Sequence, residues 1–307
     1  MHPVAGIDVS KEFVEVAFGG HVIKVKRAAA DLKAHFAGFP DGTRIVLEAT
    51  GRYHRIVLEV AADLRLEARQ VDPFVFSLYR KSASPRAKND RLDALTLQRY
   101  GEREWDTIRC GKPRDPRLQR LKDLIELRET QVNIRVAWEQ SMNEFQDVPK
   151  AAEDAARGMK ASIDALDKQI LALVKDDELY SLFLEMDGVG PQLAPALVWL
   201  FEAFDFQDPD EVVAFVGLDV RVRESGRYIG QRKLTKRGPA FIRRLLHCAA
   251  NSQRRIKGFE NLFARHHQKG LKTKGVNVIL GRKLLRAALA IAKTKTRYER
   301  AKFLGAT

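Results

Sequence analysis

The chain has 307 residues, 45% of them hydrophobic, enough for about two domains of ~100–200 residues with real cores. No apolar run reaches the ~18 residues of a membrane span, Met1-His2-Pro3-Val4 lacks the basic-then-apolar order of a secretory leader, and two cysteines, Cys110 and Cys248, make no disulfide framework. The net charge of +14 lies at one end, since Met1 to Val220 holds 30 Lys and Arg against 37 Asp and Glu while Arg221 to Thr307 holds 24 against 3; this points to a polyanionic partner.

Residues 1–108 predict an α/β domain. Val4–Val9, Phe13–Phe18 and Val22–Lys26 read as strands, and Gly19-Gly20 supplies the two-residue turn of a hairpin. A helix is expected over Asp31–Phe39. Arg44–Glu48 is a continuous apolar run, the mark of a strand buried on both faces. Tyr53–Leu64 is an amphipathic helix, and Glu67–Val71 is a fifth strand ended by Asp72-Pro73. Ser82 to Lys88 is small, basic and without periodicity, so a loop is expected. Asn89 or Asp90 then caps a helix to about Arg103. Residues 109–178 predict a helical arm. Leu118, Leu121, Leu124, Ile125, Val132, Val136, Met142 and Phe145 recur at helical spacing, and a second helix follows Val148-Pro149. The arm reads as a hairpin with coiled-coil tendency, suited to a spacer or to self-association. Residues 179–307 predict a mainly helical, basic domain. Asp187-Gly188-Val189-Gly190-Pro191 lies between two helical stretches, Leu179–Met186 and Gln192–Phe204, as in a helix-hairpin-helix. An ordinary Gly-Pro turn is the alternative. Further helices are expected over Pro239–Arg254 and Val276–Ala292.

The chemistry starts from Asp8. A carboxylate within an apolar strand is costly unless it is paired or holds a cation. Strand, strand, strand, helix, then alternating strands and helices is the order of the ribonuclease H-like fold. In that fold acids on the first strand, the fourth strand and a late helix meet. Asp8 and Glu48 occupy the two strand positions, and Asp90 and Asp93 stand three apart on the helix, on one face. Taken singly, Asp90 could be an N-cap, Asp93 a first-turn acid and Glu48 the start of a turn. Together they predict an all-oxygen site for Mg²⁺, with Mn²⁺ an alternative, and not for zinc.

The stretches GIDVSK, LEATGRY and RAKNDRLDA, followed by GVGPQLAPAL, VVAFVGLDV and ESGRYIGQRKLTKRGPAFIRRLL, resemble the DEDD transposases of insertion sequences, the "one-ten" family. Piv-type DNA invertases and, more distantly, RuvC junction resolvases are relatives of that family. The resemblance implies that Asp8, Glu48, Asp90 and Asp93 bind metal. It implies a serine nucleophile in the Ser225-Gly226 pair, a phosphoserine link to DNA and strand exchange. It also implies a structured guide RNA that pairs with donor and target DNA. Two departures stand out: the family often has a proline two residues after Gly217-Leu218, where Asp219-Val220 follow here, and Thr235 precedes Lys236-Arg237-Gly238 where it often has a serine.

Read from the residues alone, Ser225 is a polar loop serine flanked by Arg221, Arg223 and Arg227, with no histidine base nearby in sequence. Lys233, Lys236, Arg237, Arg243, Arg244, Arg254 and Arg255 are candidate phosphate contacts, or equally a solvated helix face. The expected protein is a DNA recombinase of a mobile element, cytoplasmic and nucleoid-associated, with no membrane partner. It is expected to act as a dimer or tetramer. The rival readings are a fixed-site invertase, a hydrolytic resolvase-like nuclease and a non-catalytic nucleic-acid-binding protein.

Overall fold

A computed structural model describes residues 2–48, 51–83, 89–110, 115–221, 224–225, 228–229 and 233–305, with only the backbone described at 83, 109–110, 224–225 and 228–229. The chain forms two units, Met1–Arg114 and Asp115–Thr307.

The first unit is built on a six-stranded mixed sheet. Its strands are β1 (Val4–Val9), β2 (Phe13–Phe18), β3 (His21–Lys26), β4 (Arg44–Glu48), β5 (Glu67–Val71) and β6 (Arg109–Cys110), in the order β3-β2-β1-β4-β5-β6. β1, β2 and β3 run antiparallel, β4 and β5 lie parallel to β1, and β6 closes the edge antiparallel. Gly19 and Gly20 both take positive φ, +57° and +81°, the conformation the tight β2–β3 turn requires. The helices are α1 (Ala29–Phe36), α2 (Arg55–Asp63), α3 (Pro73–Ala83) and α4 (Asp90–Glu104). Alternation along the strands sorts the core into two faces. Ala5, Ile7, Val9, Ile45 and Leu47 pack with Leu32 and Phe36 of α1 and Val57, Leu58, Val60 and Ala61 of α2. Val4 and Val46 face the other way, with Phe76 of α3 and Leu97 and Tyr100 of α4.

α3 is a departure from the sequence expectation. Asp72-Pro73 ends a strand but also starts a helix. Asp72 Oδ1 accepts from the amides of Phe74 and Val75 at 2.8 and 3.2 Å, and proline is favourable at a helix's first position. Ser82 and Ala83 therefore belong to a helix, and the remainder of the expected loop, 84–88, lies outside the described residues. Asn89, not Asp90, caps α4, accepting from Arg91 N at 3.1 Å.

The second unit opens with a hairpin of two long helices, α5 (Pro116–Met142) and α6 (Lys150–Val174). Leu118, Leu121, Leu124, Ile125, Leu166, Ile170 and Val174, near the ends where the chain enters and leaves the hairpin, join one large core with the helices that follow. Toward the tip, Ile134, Val136, Trp138 and Phe145 stay exposed. Next come α7 (Glu178–Leu184), α8 (Leu193–Ala203) and α9 (Pro209–Val216). α9 opens with a capping box, Asp208 with Glu211. Four two-residue strands, β7 (Val220–Arg221), β8 (Glu224–Ser225), β9 (Tyr228–Ile229) and β10 (Lys233–Leu234), precede α10 (Ala240–Gln253), α11 (Glu260–Gln268), α12 (Thr273–Thr294) and α13 (Arg300–Leu304). Gly188, in the expected phosphate-binding turn, has a packing reason to be glycine. A Cβ there would lie 2.6 Å from the Ala249 carbonyl oxygen of α10. Among the described residues no helix is long and apolar enough to cross a membrane.

Candidate functional site

The acids are brought together by backbone geometry. On β1, Val4, Gly6 and Asp8 alternate toward the face that α4 covers. β1 and β4 run parallel with Ile7 beside Leu47, so Asp8 and Glu48 come next along neighbouring strands in the same phase. α4 crosses this face with no side chain interposed at Gly6. A Cβ on Gly6 would stand 2.2 Å from both the Ala94 carbonyl oxygen and the Gln98 amide nitrogen. A Cβ on Gly101 of α4 would stand 2.4 Å from Val46 Cγ2 and 2.8 Å from Val4 Cγ1. Paired absences of a side chain thus let the helix lie directly on the strands, and its first turn carries Asp90 and Asp93 to the end of β1. Asp93 is buried, at 6% exposure, and its Oδ1 has no hydrogen-bond partner. Its Oδ2 accepts from Arg80 Nη1 at 2.8 Å. Asp8 registers the crowding. Burial first, then the charges of Asp90, Asp93 and Glu48, push its carboxyl up to about 7, against a smaller lowering by the Val9 amide.

The serine region has a different construction. β7 pairs with β10 and β8 with β9, so two short antiparallel pairs nest in sequence, with Ser225 opposite Tyr228. Arg223, Gly226 and Arg227 lie outside the described residues. The base of this ribbon is closely fitted. A Cβ on Gly217 would meet the Arg237 carbonyl oxygen at 2.1 Å, and one on Gly238 the Phe215 carbonyl oxygen at 1.9 Å. Both glycines take positive φ, +76° and +74°. Arg243 Nη1 donates to the carbonyls of Val216, Arg237 and Gly238 at 2.8, 2.8 and 3.1 Å. Thr235 donates its hydroxyl to the Asp219 carboxylate, and its amide donates to the Asp219 carbonyl at 3.0 Å. One departing position, Thr235, is therefore bonded to Asp219, the residue beside the other, Val220.

Residues 5–146 match the sequence pattern of a family described as Transposase, the DEDD type of IS110, and residues 180–268 match one described as Transposase IS116/IS110/IS902 family. The chain belongs to the IS110 transposase family. Among its relatives are the pilin gene-inverting proteins of Moraxella lacunata and Moraxella bovis. Each is 27% identical over 266 residues, covering 83% of this chain and 82% of the relative.

In this IS110-family transposase the expected phosphate contacts divide by what they touch. Arg243 is committed to backbone carbonyls. Arg244 pairs with the buried Glu129 of α5, which also receives Arg128 Nη1 at 3.0 Å. Arg221, Lys233, Lys236, Arg237, Arg254 and Arg255 are exposed. Arg80 was not among the residues expected from sequence. Its signal was the Asp72-Pro73 helix start, which sets Arg80 two turns into α3. Among the described residues no group of three or more His, Cys, Asp or Glu forms a metal-binding cluster as it stands. The donor chemistry nonetheless fits a hard cation: oxygen only, mutually repelling, with one buried carboxylate oxygen lacking a partner.

Proposed function

We propose that this transposase cuts and rejoins DNA strands in a reaction dependent on Mg²⁺ or Mn²⁺. In this reading residues 1–108 are a ribonuclease H-like catalytic domain, 109–178 an arm and 179–307 the domain that carries the nucleophile. Asp8, Glu48, Asp90 and Asp93 are the metal ligands. The observation that carries the reading is the register that sets Asp8 and Glu48 side by side on β1 and β4, with α4 lying against Gly6. When bound, the cations supply positive charge to offset the charge that builds on a phosphodiester undergoing displacement.

The remaining work falls to the chain's own residues. Ser225 Oγ attacks the phosphorus. A serine O–P bond forms as the strand's P–O bond breaks, and the departing sugar oxygen takes up a proton. A hydroxyl of the incoming strand then reverses the step, so bonds are exchanged and none is lost. Arg221, Arg223 and Arg227 stand close enough in sequence to offset phosphate charge. The close fit at Gly217, Gly238 and Arg243, on either side of the segment that carries the serine, supports the reading. Exposed Lys233, Lys236, Arg237, Arg254 and Arg255 hold DNA or RNA backbones. A structured guide RNA pairs with donor and target DNA; the resemblance and the strongly basic chain end support it. Exposed apolar residues at the tip of the hairpin support assembly into a dimer or tetramer.

Site-specific inversion by the same machinery is a second reading, favoured by the name of the two Moraxella relatives. Denaturing gels of the protein with labelled donor DNA and Mg²⁺ test the mechanism. A covalent adduct is expected in the wild type and absent in Ser225→Ala. Strand exchange at the normal rate by Ser225→Ala would refute the serine step, and normal exchange by Asp8→Ala would refute the metal site. Sequencing RNA that co-purifies with the protein separates guided transposition from fixed-site inversion.

A further inference from the structure

Arg80 reaches from α3 into the acidic cluster and gives Nη1 to Asp93 Oδ2 at 2.8 Å. This is one nitrogen on one oxygen, not the two-pronged fork in which arginine and carboxylate hold each other most firmly. The Arg80 side chain is 24% exposed and that of Asp93 9%. The guanidinium can therefore withdraw toward solvent, while the carboxylate has nowhere to follow. Asp93 Oδ1, buried and without a partner, stands ready for a second positive group. We propose that Arg80 is the resident counter-ion of the cluster: it neutralises Asp93 while no metal is bound and gives way when a divalent cation takes that carboxylate.

This inference rests on the metal-site reading of the four acids. Its physical content is a conflict of signs. A buried carboxylate needs a positive neighbour, so Arg80 stabilises the metal-free fold. The same full charge repels an incoming cation, so Arg80 lowers metal affinity. A bridge that served only to hold α3 and α4 together, or to orient Asp93, would act differently. Its loss would weaken the fold and the metal site alike. Stability and metal affinity moving in opposite directions is the signature of a counter-ion. Once displaced, the guanidinium is freed at the rim of a site that handles a polyanion.

The test is calorimetric titration of the full-length protein with Mn²⁺, together with its thermal midpoint in chelator. Arg80→Gln and Arg80→Met, which keep the stem but not the charge, are expected to lower the metal-free midpoint by several degrees and to tighten Mn²⁺ binding about tenfold. Arg80→Lys keeps the charge and is expected to stay within about threefold of wild type. Unchanged or weaker Mn²⁺ binding in both neutral variants overturns the proposal. So does failure of both to fold at saturating Mn²⁺, which would make Arg80 a structural prop. Asp8→Asn separates the two readings. If it binds Mn²⁺ as the wild type does, or the wild type binds none, the metal-site reading fails and takes this inference with it. If Asp8→Asn loses the metal while Arg80→Gln gains no affinity, the role of Arg80 alone is wrong.

Discussion

Asp8 shows how one residue couples stability to the chemistry around it. Its carboxyl is raised from 3.8 to about 7, first by burial and then by Asp90, Asp93 and Glu48. Between those two values the folded protein holds a proton that the unfolded chain has released. The contribution of Asp8 to stability is therefore whole below about pH 4, falls as pH rises, and stops falling above about pH 7 where both states are ionised. Asp8→Asn cannot ionise. In chelator, the thermal midpoint of Asp8→Asn should exceed that of the wild type by a margin that widens from about pH 5 to about pH 7. Added Mg²⁺ above neutrality should raise the wild-type midpoint and leave the Asp8→Asn midpoint where it was. Midpoints measured at several pH values, with and without Mg²⁺, check both expectations. A margin that does not change with pH would mean that neither burial nor the neighbouring carboxylates raise Asp8.

At the level of elements, the decisive contact is α4 against β1. Gly6→Ala would place a methyl group 2.2 Å from backbone atoms of Ala94 and Gln98, and backbone cannot repack as a side chain can. A loss of at least ~1–3 kcal/mol is expected from overpacking of this kind, measurable by urea denaturation. The strand exchange proposed above should fall with it, although no acid has been changed. Elements also show what was legible. The strands β1 to β5 and α4 are legible as short runs, a glycine turn and a cap, and Asp8 as a charge in an apolar run; β6, two residues long, is not. α3 hid behind a proline that serves both to end β5 and to begin a helix, and Arg80 was hidden with it. β7 to β10 have two residues each, too few to show a period of two. Gly6 and Gly101 were visible as letters only, because their role depends on which backbone passes above them.

The scale of the whole molecule is set by charge. The first 220 residues carry more acid than base, and the last 87 hold 24 basic residues against 3 acidic ones. Phosphate contact should therefore be concentrated after Val220. Composition could not say which cations make it, because an arginine that binds its own chain looks the same in sequence as one that meets solvent. Arg243 and Lys233 provide the contrast. Lys233→Ala should lower the slope of log affinity against log salt by about 1 and leave stability nearly unchanged. Arg243→Ala should leave that slope alone and destabilise the fold by ~1–3 kcal/mol, because three carbonyls lose their donor. Filter binding across a salt series, paired with denaturation, distinguishes the two. Equal slopes for both variants would show that Lys233 does not touch phosphate.

The glycine contacts under α4 have one more consequence. Most active centres are held at their spacing by packed side chains, and packed side chains can be exchanged for others of similar volume. Here the gap between strand and helix is set at Gly6 by peptide units and a Cα hydrogen, while at Gly101 the Val4 and Val46 side chains fill it. Beside the acids the spacing therefore has no adjustable part; further along the helix it has two valines. The centre tolerates change in the residues that surround it and little in its thickness at Gly6. Its least replaceable atom is a hydrogen that carries neither charge nor lone pair.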